Sequence, residues 1–266
     1  MPLFSIITIS YNNCRGLKET LDSVRAQSCN SFEYIVIDGG SEDGSKELLE
    51  TYKEKITYWV SEKDSGIYNA MNKGISMAKG TYCLFLNSGD CLSGPDILGK
   101  VKACNFKEDI LYGELTFKYP DGKRRHAKVP DKITLPYLFA DNIWHPSTFI
   151  RRELFDSLGK YNETYRIAAD YEFFFHALVV KEVSSKPIHF PISIHLADGL
   201  SSLPESREAV NAERNRVHHS YLSPAVIDSL TQLSVLNNSG AVKIGRWLDQ
   251  RPGLKKIMSF FYNLKK

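Results

Sequence analysis

Four carboxylates in the first ninety residues occupy the same kind of place. Asp38, the pair Glu62 and Asp64, and Asp90 each follow a short apolar run and stand in polar loops containing serine and glycine. Tyr11 holds the equivalent place after the first such run. A carboxylate beside a glycine, as Asp90 is beside Gly89, can hold a divalent cation or a sugar nucleotide, because the missing side chain permits close approach. The same residues 87–90 (NSGD) also suit an Asx-type turn that needs no ligand. Three further groups could move a proton or bind a ligand: His145 beside a tryptophan, Asp170 ahead of an aromatic run, and His195 at the end of an apolar run. Each has a structural alternative. His145 suits a packed core, Asp170 a helix N-cap, and His195 a plain strand end.

These groups need elements to position them. Residues 3–10, 32–37, 56–60 and 82–86 are short, apolar and rich in β-formers, which predicts four strands. Between them the apolar spacing is helical, most clearly at Ile67, Ala70, Met71, Gly74, Ile75 and Ala78, with Asp64 or Ser65 placed to cap that helix and Gly80 to end it. The pattern β-α-β-α-β-α-β predicts an α/β fold with a mostly parallel, doubly wound sheet. Right-handed crossovers bring the loops after all four strands to one edge, where ligands bind in such sheets. That convergence favours the ligand reading of Tyr11, Asp38, Glu62, Asp64 and Asp90 over four unrelated turns. Tyr11 could stack on a nucleobase while Asp38 accepts a hydrogen bond from a ring N–H. No G-x-G-x-x-G follows the first strand and no G-x-x-x-x-G-K-[ST] occurs, which excludes the common dinucleotide and P-loop sites.

Composition narrows the classes. The 266 residues are 42% hydrophobic and 24% charged, with a net charge of +3, too small to imply a nucleic-acid partner. Five cysteines (14, 29, 83, 91 and 104) show no C-x-x-C spacing, which suits a reducing cytoplasm rather than a disulfide framework. No run approaches the roughly 20 apolar residues of a membrane span. Near the end, Leu254, Ile257, Met258, Phe261 and Leu264 form an apolar stripe flanked by lysines, suited to packing on protein or to lying on an anionic membrane from the cytoplasmic side.

Residues 4–12 (FSIITISYN), 34–45 (YIVIDGGSEDGS), 66–74 (GIYNAMNKG) and 86–90 (LNSGD) resemble, in order and spacing, the inverting family 2 glycosyltransferases, in their bacterial capsule and exopolysaccharide branch. The resemblance covers residues 3–202. It implies a Rossmann-like GT-A domain over residues 1–203 with a helical C-terminal extension over 204–266. It also implies a nucleotide-diphospho-sugar donor and a saccharide or lipid-linked saccharide acceptor. By the same resemblance Tyr11 stacks on uracil, Asp38 holds its N–H, and Glu62, Asp64, Asn72 and Asn87 line the nucleotide side. Asp90 would hold Mg²⁺ or Mn²⁺, and Asp170 would be the catalytic base, with Glu172 in reserve. His145 and His195 would lie on the acceptor or diphosphate side, His195 ahead of a loop with Gly199 and Ser201. The chain departs from the family pattern at Gly89, where a metal-binding aspartate is usual, at Ala169, where glutamate is common, and at Met71, where many relatives have arginine. Two other readings fit less: a sugar nucleotidyltransferase, which would want a glycine-rich first loop, and a catalytically weak sugar-nucleotide-binding protein.

Overall fold

Burial on both faces decides the first four strands. β1 (Phe4–Ser10) is buried at all seven positions, and β2 (Phe32–Asp38) at six of seven, as expected where a parallel sheet is covered on both sides. In chain order the computed structural model, which describes residues 1–196 and 206–238, has β1, α1 (Cys14–Arg25), β2, α2 (Ser45–Tyr52), β3 (Tyr58–Ser61), α3 (Ile67–Met77) and β4 (Tyr82–Phe85). There follow β5 (Cys91–Leu92), α4 (Ile97–Ala103), β6 (Ile110–Lys118), β7 (Arg124–Ala127), α5 (Leu135–Ala140), β8 (Thr148–Arg151), α6 (Glu153–Ser157), α7 (Ala169–Phe175) and β9 (Ser185–Leu196). Helices α8 (Arg207–Tyr221) and α9 (Pro224–Asn238) complete the described chain.

The sheet runs β3-β2-β1-β4-β8-β6-β9-β5, with β7 paired to β6. Strands β3, β2, β1 and β4 are parallel. β8 lies antiparallel to both β4 and β6, whereas β9 runs parallel to β6. This is the α/β architecture expected, a parallel half carried by the first four strands and a mixed half beyond them. Phe4, Ile6, Leu17, Leu21, Val36, Leu84, Leu98 and Phe149 belong to one buried cluster that fastens helices to the sheet. Each such side chain stabilises the fold by about 1.5–3 kcal/mol.

Two expected helix starts differ. α3 takes Gly66 as its N-cap residue, and Asp64 instead accepts the Gly66 N–H at 2.9 Å; the helix ends at Met77, short of Gly80. α7 begins at Ala169 with Ala168 as its N-cap residue and no capping side chain, so Asp170 is not the cap. Residues 1–217 form one compact unit, and the described residues from 218 to 238 belong to another. The boundary expected at 203/204, the loop with Gly199 and Ser201, and the 254–264 stripe lie outside the described residues. Among the described residues no helix is long and apolar enough to cross a membrane.

Candidate active site

The loops after β1, β2 and β4 are tied together by their own side chains. Asn13 caps α1 by accepting the Gly16 N–H at 3.1 Å, and its amide donates to the Ser88 carbonyl at 3.0 Å. Ser41 accepts the Asn12 N–H at 2.7 Å, and Asp43 accepts the Cys14 N–H at 2.7 Å. The turn after β4 closes through the backbone, Asp90 N–H to Asn87 carbonyl at 2.8 Å. Gly89 sits there at φ +105°, a conformation that L side chains rarely adopt. A side chain in place of Gly89 would be strained here. The Asx-turn reading fails here, because the Asn87 side-chain oxygen is buried with no hydrogen-bond partner among the described residues. A buried polar oxygen without a partner carries a desolvation cost that a ligand can relieve.

This turn forms one wall of a cavity of about 830 Å³, which Asn87, Asp90, His145, Asp170 and His195 all line. Asp90 and His195 meet directly, Nδ1 to Oδ1 at 2.6 Å. Asp170 enters on α7 from the other half of the chain, and the Tyr68 hydroxyl on α3 donates to its Oδ1 at 2.9 Å. Burial, reinforced by that carboxylate, pushes the Tyr68 hydroxyl well above its usual 10, so it remains a donor. His145 stacks on Phe85 at 4.7 Å and joins Tyr161 through Nε2 at 2.7 Å. Burial holds its pKa below the ordinary 6.5, against the opposing pull of Asp170 and Asp90. His145 is therefore a packed residue that also lines the cavity. Phe117 and Trp144 add an aromatic wall, edge to face at 6.1 Å.

The residues expected on the nucleotide side, Asn87 apart, lie away from this cavity. A Cβ at Gly39 would lie 2.6 Å from Asp64 Oδ2 and 3.2 Å from the Tyr11 ring, so both side chains close over this glycine. Tyr11 is 67% exposed and offers an open face for stacking. Asp38, by contrast, is 0% exposed, and its carboxylate accepts the Ser41 N–H and hydroxyl at 2.9 and 2.5 Å and the Ser61 hydroxyl at 2.6 Å. It organises the loop and has no exposed surface for a base. Glu62 pairs with Lys73 at 2.6 Å. Asn72 does not line the cavity: its amide donates to the Tyr161 carbonyl and to Glu163, and its oxygen accepts the Tyr161 N–H. Glu172 is half-buried on α7 and likewise does not line it.

The donor set bears on a metal. Asp90 and His195 adjoin, and the Asn87 oxygen is unpartnered, whereas no three His, Cys, Asp or Glu groups converge among the described residues. These residues fit a cation that completes its shell with diphosphate oxygens and water, as Mg²⁺ commonly does. Tyr68 is one of the cavity residues not expected from the sequence. Its signal was the four-residue spacing to Asn72, which puts both on one face of α3, toward the segment 161–170.

The family described as Glycosyl transferase family 2 matches residues 5–159. An uncharacterized glycosyltransferase of Mycobacterium tuberculosis is 37% identical over 185 residues, 68% of this chain and 71% of its own. A Mycobacterium bovis protein named as a PGL/p-HBAD biosynthesis glycosyltransferase is 34% identical over 178 residues, 65% of this chain and 68% of its own. The fold is that of S. aureus TarS 1-349, solved in complex with UDP-GlcNAc: the TM-score is 0.65 at 20% identity, covering 86% of this chain and 70% of that one. This chain spans 44% of the longer TarS structure.

Proposed function

The chain belongs to glycosyl transferase family 2 and is a glycosyltransferase, and we propose that it transfers a sugar from a UDP-sugar to a saccharide or lipid-linked saccharide acceptor with inversion. The observation that carries this reading is the pairing of two carboxylates from different halves of the chain, Asp90 and Asp170, in one cavity. The base of the donor stacks on Tyr11, with Asp64 beside it, and the diphosphate runs toward the Asn87–Asp90 turn. Mg²⁺ or Mn²⁺ held by Asp90 and His195 would supply positive charge to the leaving diphosphate. Asp170 takes the proton of the acceptor hydroxyl as the new C–O bond forms and UDP departs with the electron pair. Tyr68 fixes Asp170 Oδ1 and leaves Oδ2 for that proton. The wall of Phe117 and Trp144 suits a sugar ring on the acceptor side. UDP as the nucleotide draws support from the UDP-GlcNAc bound by TarS 1-349. The capsule and exopolysaccharide setting draws none from the mycobacterial relative, which is named for PGL/p-HBAD biosynthesis.

The test is calorimetry with UDP-, GDP- and dTDP-sugars, each with and without Mn²⁺. UDP-sugars should bind best, and Mn²⁺ should tighten them. Equal affinity for all three bases would overturn the UDP assignment, and full activity in excess EDTA would overturn the metal.

A further inference from the structure

We infer that Glu213 on α8 is a positioning residue that sets the place of Asp170. The inference rests on the reading of Asp170 as the base. Glu213 lies well beyond residues 5–159, where the family match ends. Its carboxylate accepts three consecutive backbone N–H groups in the turn entering α7: Arg166 at 2.7 Å on Oε1, and Ile167 and Ala168, both at 2.9 Å, on Oε2. The last of them, Ala168, is the N-cap residue of α7, where no local side chain caps the helix. Asp170 follows two residues later. Charge-assisted bonds of this kind are short and strong, and three on one carboxylate leave the turn little freedom.

The helix that presents Glu213 is itself held against the same region. Arg214 donates to the Asp141 carbonyl at 2.9 Å and lies 4.4 Å over the Tyr171 ring. Arg216 donates to Thr164 Oγ1 at 2.6 Å and lies 4.3 Å over the Tyr165 ring. Asp170 is thus held from two sides, by Tyr68 at its carboxylate and by Glu213 through the backbone of residues 166–168 just before it. A displacement of about 1 Å at a reacting group can cost roughly 10²-fold in rate.

Glu213→Gln in the full-length chain tests this, because the amide keeps the length but turns one acceptor oxygen into a donor facing N–H groups. UDP release would be followed with the donor that binds best in the calorimetric panel. The expected result is a kcat lower by about 10- to 100-fold with donor affinity unchanged. In an Asp170→Asn background the same change should cause no further loss, because the group being positioned is already disabled. Glu213→Asp, which keeps both oxygens, should recover part of kcat, and it carries the same comparison if Glu213→Gln does not fold. Unchanged kcat, or equal losses in both backgrounds, would overturn the positioning role while leaving the base assignment intact. Wild-type turnover by Asp170→Asn alone would instead remove the base reading on which the inference stands.

Discussion

Asp170 is distinguished by what its carboxylate touches. It heads a helix, yet it accepts from the Tyr68 hydroxyl rather than from a backbone N–H. An aspartate that is neither a cap nor ion-paired is available for proton transfer, and this separates the base reading from the structural one. Asp170→Asn should keep the Tyr68 bond and the melting temperature while lowering turnover by ~10²–10⁴-fold; wild-type turnover would end the assignment. Tyr68→Phe should lower kcat about 10-fold and cost about 1–2 kcal/mol of stability in urea denaturation, because a buried bond to a charged group is lost. His145 makes a different prediction. Burial depresses its folded pKa while Tyr161, Asp170 and Asp90 face it, so the unfolded chain binds its proton more readily. The stability this provides is complete above about pH 6.5 and is lost as pH falls through the lower, folded value. Melting temperature should therefore drop on acidification, and less steeply in His145→Phe; equal slopes would contradict this.

At the scale of elements, what was legible in the sequence followed from local burial. β1 to β4 could be read because each is an apolar run bounded by turn residues, and α3 because its buried stripe keeps a helical period. The start of α7 could not be read. Asp170 looked like a cap, but the turn before the helix is held by Glu213 from more than forty residues away, and no local pattern announces such a partner. Asp38 and Asn72 were legible as polar residues, but not as ones already hydrogen-bonded within the protein. Their partners Ser61 and Tyr161 come from other elements. Asn72 in particular ties α3 to the segment before α7 by three hydrogen bonds. Asn72→Ala leaves the buried Tyr161 backbone unpaired and should destabilise the protein by about 1–3 kcal/mol. Its UDP affinity, measured by calorimetry, should stay unchanged. A large loss of UDP affinity at constant stability would return Asn72 to the nucleotide side.

Over the molecule as a whole, the first unit draws its candidate chemistry from two stretches of sequence. The loops proposed for the donor side fall within residues 5–159, where the family match lies, whereas Asp170, His195 and Glu213 come after it. The cavity joins the two stretches by placing Asp90 and His195 with Asp170. A base on one side of the anomeric carbon and a stabilised diphosphate on the other allow a single displacement, which inverts that carbon. The product's anomeric configuration therefore reports directly on the whole arrangement. With an α-configured UDP-sugar and an acceptor saccharide, NMR of the anomeric proton should show a β-linked product formed in step with UDP release. An α-linked product would contradict the account, because a single in-line displacement of the kind proposed inverts the anomeric carbon.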